Sequence, residues 1–219
     1  MEYGICYHTF IPMRAEPSEK SEMISQILFG EYAEIMEQEK TGRYVRVKNL
    51  YDDYEGWCCT GELITTAESE IKQNVPGKVY VTRDILSILT AENSISRIYL
   101  GAGSTVRLSD KNKVTLNGMN YKIPDSFYQV QNRSKREDLL ASAKKFISIP
   151  YLWGGRSSFG TDCSGFVQNI FKQAGIPLPR DAKQQAQCGK IVQSPEEALP
   201  GDLLFFHDEK GNIVHTGIY

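Results

Sequence analysis

Cys163 and His215 are the two side chains best suited, by type and order, to do chemistry together. Cys163 lies in GTDCSGFVQNIFKQAG, residues 160 to 175, and His215 lies downstream in GDLLFFHDEKGNIVHTGIY. A thiol attacks a carbonyl once it has lost its proton, and an imidazole is the side chain that accepts one near neutral pH. Small residues flank the cysteine (FGTDCSG), so a substrate can approach the backbone closely. The plain alternative is that a lone cysteine is a small buried apolar residue, the commonest fate of that side chain.

The segment after Cys163 reads as a helix. Thr161 or Asp162 can cap its N-terminus, Phe166, Ile170 and Ala174 recur every four residues, and Gly175 followed by IPLP stops it. Cys163 therefore falls in the first turn, where unpaired backbone N–H groups and the helix dipole favour negative charge and push a thiol toward thiolate. A helix bearing the thiol and a later strand bearing the base is the arrangement that papain-like nucleophilic catalysis requires.

The chain has 219 residues, 41% of them hydrophobic, enough for a sizeable core in roughly one to three domains. Its formal net charge of -2, with both signs interspersed, offers no basic stripe for phosphates, so no nucleic acid partner is expected. No window approaches roughly 18 uninterrupted apolar residues, and MEYGICYHTFIPMRAEP lacks the basic region and apolar run of a secretory signal. No membrane anchor is expected, and a cytoplasmic location follows, or an exported one where a leader has been removed. Cys6, Cys58, Cys59, Cys163 and Cys188 form an odd set without framework spacing, which suits a reducing compartment. With neither CxxC nor a paired His motif, no structural zinc and no other cofactor is expected.

Residues 1 to 130 consist of short runs rich in Val, Ile, Tyr and Thr, such as YAEIMEQ, RYVRVKNL, EGWCC, SRIYL, STVRL and NYKIP, separated by Gly, Asn and Asp turn signals. That pattern predicts small all-β barrels, each of roughly 65 residues. The run divides near ESEIKQNVPG, residues 68 to 77, into modules over 1–67 and 75–130. NRSKREDLL then brings a charged stretch and a helix with Leu139, Leu140, Ala143, Phe146 and Ile147 on one face, opening a third domain over 136–219.

Taken together, YLWGGRSSFGTDCSGFVQNIFKQAGIPLPRDAKQQ, LPGDLLFF and NIVHTGIY resemble the NlpC-type papain-like cysteine peptidases, which cut peptides of the bacterial cell wall. Upstream, MRAEPSEKSEMISQILFGE and DDYEGW resemble the first of the bacterial SH3-like barrels that precede this domain in dipeptidyl-peptidase-six-like members, which are γ-D-glutamyl-L-diamino-acid endopeptidases. The resemblance implies two SH3-like barrels followed by an α+β papain-like peptidase domain whose C-terminal part is absent. It implies Cys163 as nucleophile and His215 as general base. Ser164 and Asp181 would receive the free amino end of the substrate, Tyr54 would close that pocket, and Tyr151 and Trp153 stand where they can line it. The implied substrate is a cell-wall peptide beginning L-Ala-γ-D-Glu-diamino acid, cleaved through a Cys163 acyl-enzyme without a cofactor.

Two departures from the family pattern stand out. Ala182 follows the PRD aspartate where members often carry Ser, which removes one possible hydrogen bond to substrate. The family's third catalytic polar residue falls about a dozen positions beyond the base, past Tyr219. A cell-wall-peptide binding protein with a peptidase remnant, and a thiol-dependent amidase or acyltransferase, are the competing classes. Ser164 also reads as an ordinary helix N-terminal residue, Asp181 as a turn residue after Pro179 and Tyr54 as a barrel aromatic. His8 reads as strand surface, His207 as an exposed turn residue, and Cys188 as an accessory thiol. Cys58 and Cys59 read as opposite faces of one strand.

Overall fold

Burial alternates with period two along several of the early strands, the pattern of a sheet with one face in the core. In the strand Phe10–Arg14 the inward residues are Ile11 and Met13, and in Tyr44–Asn49 they include Val45 and Val47. The computed structural model describes residues 2–72, 79–108, 113–116, 118–122, 128–129 and 135–219. Its first unit comprises β1 (Glu2–Cys6), β2 (Phe10–Arg14), β3 (Met23–Leu28), β4 (Tyr32–Gln38), β5 (Tyr44–Asn49), β6 (Glu55–Cys59) and β7 (Leu63–Thr66). They form one antiparallel sheet in the order β3-β2-β6-β5-β4-β1-β7, curled around Cys6, Ile11, Met13, Ile27, Val47 and Cys58.

After the short α1 (Glu68–Lys72), the second unit contains β8 (Val79–Val81), β9 (Leu86–Ala91), β10 (Arg97–Gly101), β11 (Thr105–Arg107), β12 (Val114–Leu116), β13 (Met119–Lys122) and β14 (Tyr128–Gln129). Four of these pair in the order β10-β9-β13-β12 and three as β11-β8-β14. Their core takes in Phe29 from the first unit, with Tyr7 packed against it, so the two units share apolar contact. The expected boundaries at residues 75 and 130 lie outside the described residues.

The third unit consists of α2 (Arg136–Lys144), β15 (Arg156–Ser157), β16 (Gly160–Thr161), α3 (Cys163–Gln173), α4 (Ala182–Gln185) and the hairpin β17 (Leu203–His207) with β18 (Ile213–Ile218). α3 packs against α2, α4, β15 and β18. Ile170 of α3 and Ala174, its C-cap, join Leu139, Phe146 and Ala102 in its core. Among the described residues no helix is long and apolar enough to cross a membrane.

Three sequence expectations need correction. Ile147 does not share the buried face of α2: it is 83% exposed, whereas Phe146 stays buried. The helix ends at Lys144, and the next amides bond three residues back, Lys145 N–H to Ser142 O at 3.2 Å and Phe146 N–H to Ala143 O at 3.0 Å. This tighter winding breaks the 3.6 period on which the expectation rested. His8 lies in the bend between β1 and β2 rather than on a strand. His207 is exposed, but as the last residue of β17, opposite Ile213. Asp208 makes the turn instead, its carboxylate accepting the N–H groups of Lys210 and Asn212.

Candidate active site

Cys163 is the first residue of α3 and is half-buried. Asp162 is the N-cap, and its Oδ1 accepts the Gly165 N–H at 2.7 Å. Its carboxylate also accepts the Gly154 N–H at 3.0 Å and the Ser164 hydroxyl at 3.3 Å. Arg180 completes the set, with Nη2 2.6 Å from Oδ2 and Nη1 3.1 Å from Oδ1. The glycines of WGG and CSG have a packing reason. A Cβ on Gly165 would stand 2.1 Å from Gly155 O, and one on Gly154, which adopts φ +75°, would stand 2.2 Å from Met23 O in the first unit.

Arg180 also ties the units together, donating from Nε to Ser25 Oγ of β3 at 3.2 Å and from Nη1 to Ser164 Oγ at 2.8 Å. The Ser164 hydroxyl is thus engaged within the Asp162–Arg180 pair, and the residue is buried. Asp181, next to Arg180, is the N-cap of α4, its N–H directed at Gln184 Oε1 at 3.4 Å. Its carboxylate lies close enough to the Tyr54 hydroxyl to act on it electrostatically. Burial and the Asp181 charge push the Tyr54 phenol up to about 12, so it remains a proton donor across the neutral range. Tyr54 thereby reaches from the first barrel to the segment beside Cys163.

Tyr151 is exposed and near Cys163, and burial is the first cause raising its phenol. Trp153 is exposed and donates its indole N–H to Glu22 Oε1 of the first barrel at 2.5 Å. His215 is exposed on β18, its ring 5.6 Å from that of Phe206, and β18 packs against α3. Ser164, Tyr151, Asp181 and Tyr54 thus lie around the segment that starts with Cys163, and His215 stands on β18, which packs against α3. Among the described residues no group of three or more His, Cys, Asp or Glu side chains is arranged to hold a metal ion.

Residues 148–219 match the NlpC/P60 family, and residues 13–59 match the bacterial dipeptidyl-peptidase SH3 domain. The chain carries an NlpC/P60 domain behind a bacterial SH3 domain. It is 33% identical over 217 residues to the γ-D-glutamyl-L-lysine dipeptidyl-peptidase of Bacillus cereus, covering 89% of this chain and 64% of that protein. To the protein of the same name from Bacillus subtilis it is 48% identical over 91 residues, covering 41% of this chain and 30% of that one. The chain therefore spans less than two thirds of each of these relatives. The crystal structure of a NlpC/P60 family protein from Bacillus cereus has the same fold, with a TM-score of 0.86 at 21% identity over 99% of this chain and 87% of that one.

One part of the NlpC/P60 domain went unread in the sequence: a buried ionic cluster between it and the first barrel. Glu31 accepts from Arg156 through both oxygens, at 2.9 and 3.1 Å, and from Lys172 Nζ at 2.5 Å. It also accepts from Asn49 Nδ2 at 3.0 Å and the Leu28 N–H at 2.9 Å. Burial raises the Glu31 carboxyl, but the Arg156 and Lys172 charges overcome that and hold it at about 2. Lys172 is held down at about 8, because burial and the Arg156 charge outweigh its share of one carboxylate. The Tyr51 ring lies 5.0 Å from the Arg156 guanidinium carbon and 4.6 Å from Lys172 Nζ. Arg180, within PRD, carries no sequence signal of its buried bonds to Asp162, Ser164 and Ser25. A buried arginine and a surface one read alike in a single sequence.

Proposed function

We propose that the chain is a cysteine peptidase that cleaves the bond between γ-D-Glu and a diamino acid in cell-wall peptides whose N-terminal L-Ala amine is free. The observation that carries this reading is the approach of Tyr54 of the barrel to Asp181, whose neighbour Arg180 bonds Asp162 and Ser164 at the start of the Cys163 helix. A groove closed there holds a single residue before D-Glu, and the Asp181 carboxylate supplies the charge that a free ammonium needs. The names of the two Bacillus relatives, γ-D-glutamyl-L-lysine dipeptidyl-peptidases, support the same bond and suggest L-Lys beyond it.

In the proposed cycle His215 takes the Cys163 proton, and the thiolate attacks the γ-carbonyl carbon of D-Glu. The oxyanion is met by the Cys163 backbone N–H and a neighbouring donor, a contact worth about 3 kcal/mol or more. The C–N bond breaks as His215 returns the proton to the leaving amine of the diamino acid. Water, deprotonated by His215, then attacks the thioester and releases L-Ala-D-Glu, and the thiolate recovers its proton. The test compares L-Ala-γ-D-Glu-L-Lys with its N-acetylated form. Free-amine preference should reach about 30-fold, since a carboxylate covered by bound substrate and left without its ammonium costs roughly 2 kcal/mol or more. Cys163→Ala should abolish cleavage and Asp181→Asn should erase the preference. Equal cleavage of both peptides refutes the reading.

A further inference from the structure

Ser164, Gln168 and Lys172 fall four residues apart on α3 and form one stripe along it. All three are polar and buried, Gln168 at 0% exposure and Lys172 at 6%. Each also touches a different anchor: Ser164 meets Arg180, Gln168 meets Asp52 and Lys172 meets Glu31. The helix that begins with Cys163 therefore holds the first barrel directly through Gln168 and Lys172, and at its start through Arg180, which reaches Ser25.

The Asp52 contact is the most direct. Its side chain is 0% exposed; Oδ2 accepts from Gln168 Nε2 at 2.8 Å and Oδ1 accepts the Tyr54 backbone N–H at 3.2 Å. One carboxylate thus bridges α3 to the backbone of the residue whose hydroxyl faces Asp181. The turn around it is tightly built. Asp53 takes φ +58°, its N–H bonds to Asn49 O at 2.9 Å, and the Asn49 N–H bonds to Tyr54 O at 2.9 Å. Any other seating of the barrel would cost Glu31 its Arg156 and Lys172 partners and Asp52 its Gln168 amide, leaving only neutral donors of the barrel to meet two buried carboxylates, so the polar stripe selects one register where an apolar stripe would permit several.

We propose that Gln168 and Asp52 are positioning residues for amine selection, fixing Tyr54 over Asp181 from the helix that carries Cys163; this rests on the function proposed above. The test uses Gln168→Leu, Asp52→Ala and their combination in the full chain. For L-Ala-γ-D-Glu-L-Lys, KM should rise about tenfold in each single variant, the range of a buried hydrogen bond to a charged group, with kcat little changed. The double variant should be about as impaired as Asp52→Ala alone, because Asp52→Ala already removes the bridge that Gln168→Leu breaks, together with the approach of Arg156 at 3.9 Å. Cleavage of the N-acetylated peptide and alkylation of Cys163 should stay at wild-type rates. Amide hydrogen exchange at Tyr54 should quicken in Gln168→Leu. Unchanged KM and exchange, or a parallel fall in both substrates and in alkylation, overturns the proposal. If the wild type has no free-amine preference, the functional reading fails, and exchange at Tyr54 still decides whether the bridge holds the turn.

Discussion

Arg180 and Asp162 meet in a buried salt bridge, 2.6 Å between Nη2 and Oδ2, at the N-cap of the helix that starts with Cys163. The pair holds the nucleophile's helix and, through Ser25, the edge of the first barrel. Replacing Arg180 with Met leaves the Asp162 carboxylate buried with only neutral donors. Such a loss costs about 3–5 kcal/mol. It should appear as a lower urea midpoint at unchanged slope, and a shift equivalent to less than about 1 kcal/mol contradicts it.

Gly165 is a second fixed point. Ala at this position would drive its Cβ into Gly155 O, a backbone atom that cannot swing away. Gly165→Ala should therefore destabilise the fold by about 1–3 kcal/mol despite alanine's better helix propensity. Thermal unfolding checks the sign, since an exposed glycine in the same helix would respond in the opposite direction.

What the sequence disclosed, and what it hid, follows from range. The start and stop of α3 were legible because Asp162 and Gly175 act within one turn of the helix, and strands such as β2, β5 and β6 were legible because their burial alternates locally. Cys58 is buried and Cys59 half-buried, as alternation requires. Gln168 and Lys172 gave no such signal. Polar residues at helical spacing read as a solvated face, and their partners Asp52 and Glu31 lie 116 and 141 residues away. Ile147 misled for the converse reason, since its spacing continued after the helix geometry had changed.

The Glu31 cluster should write itself into acid stability. The carboxyl sits at about 2 in the folded chain against an ordinary 4.5, so its contribution is complete above about pH 4.5 and is lost as pH falls toward 2. Glu31→Gln should be less stable than wild type at pH 7, and the gap should close over that acid window. A gap that stays constant from pH 7 to 2 would show that Glu31 is not held ionised by Arg156 and Lys172.

Thiol reactivity should separate the five cysteines. Burial pushes Cys58 up to about 12 and Cys6 well above its ordinary value, so both should resist iodoacetamide in the folded protein. Cys163, at a helix N-terminus, should outpace the exposed Cys188 at pH 6. Site-resolved mass spectrometry showing Cys188 as the faster of the two would count against a nucleophilic role.

The most direct measurement is the covalent intermediate itself. L-Ala-γ-D-Glu-L-Lys is mixed with the protein, the reaction is stopped in acid, and the fragment containing Cys163 is weighed. A thioester carrying the L-alanyl-D-glutamyl acyl group should be found on Cys163, absent in Cys163→Ala and discharged as free L-Ala-D-Glu on return to neutral pH. Release of L-Lys at an undiminished rate by Cys163→Ala would contradict the assignment of this thiol as the nucleophile.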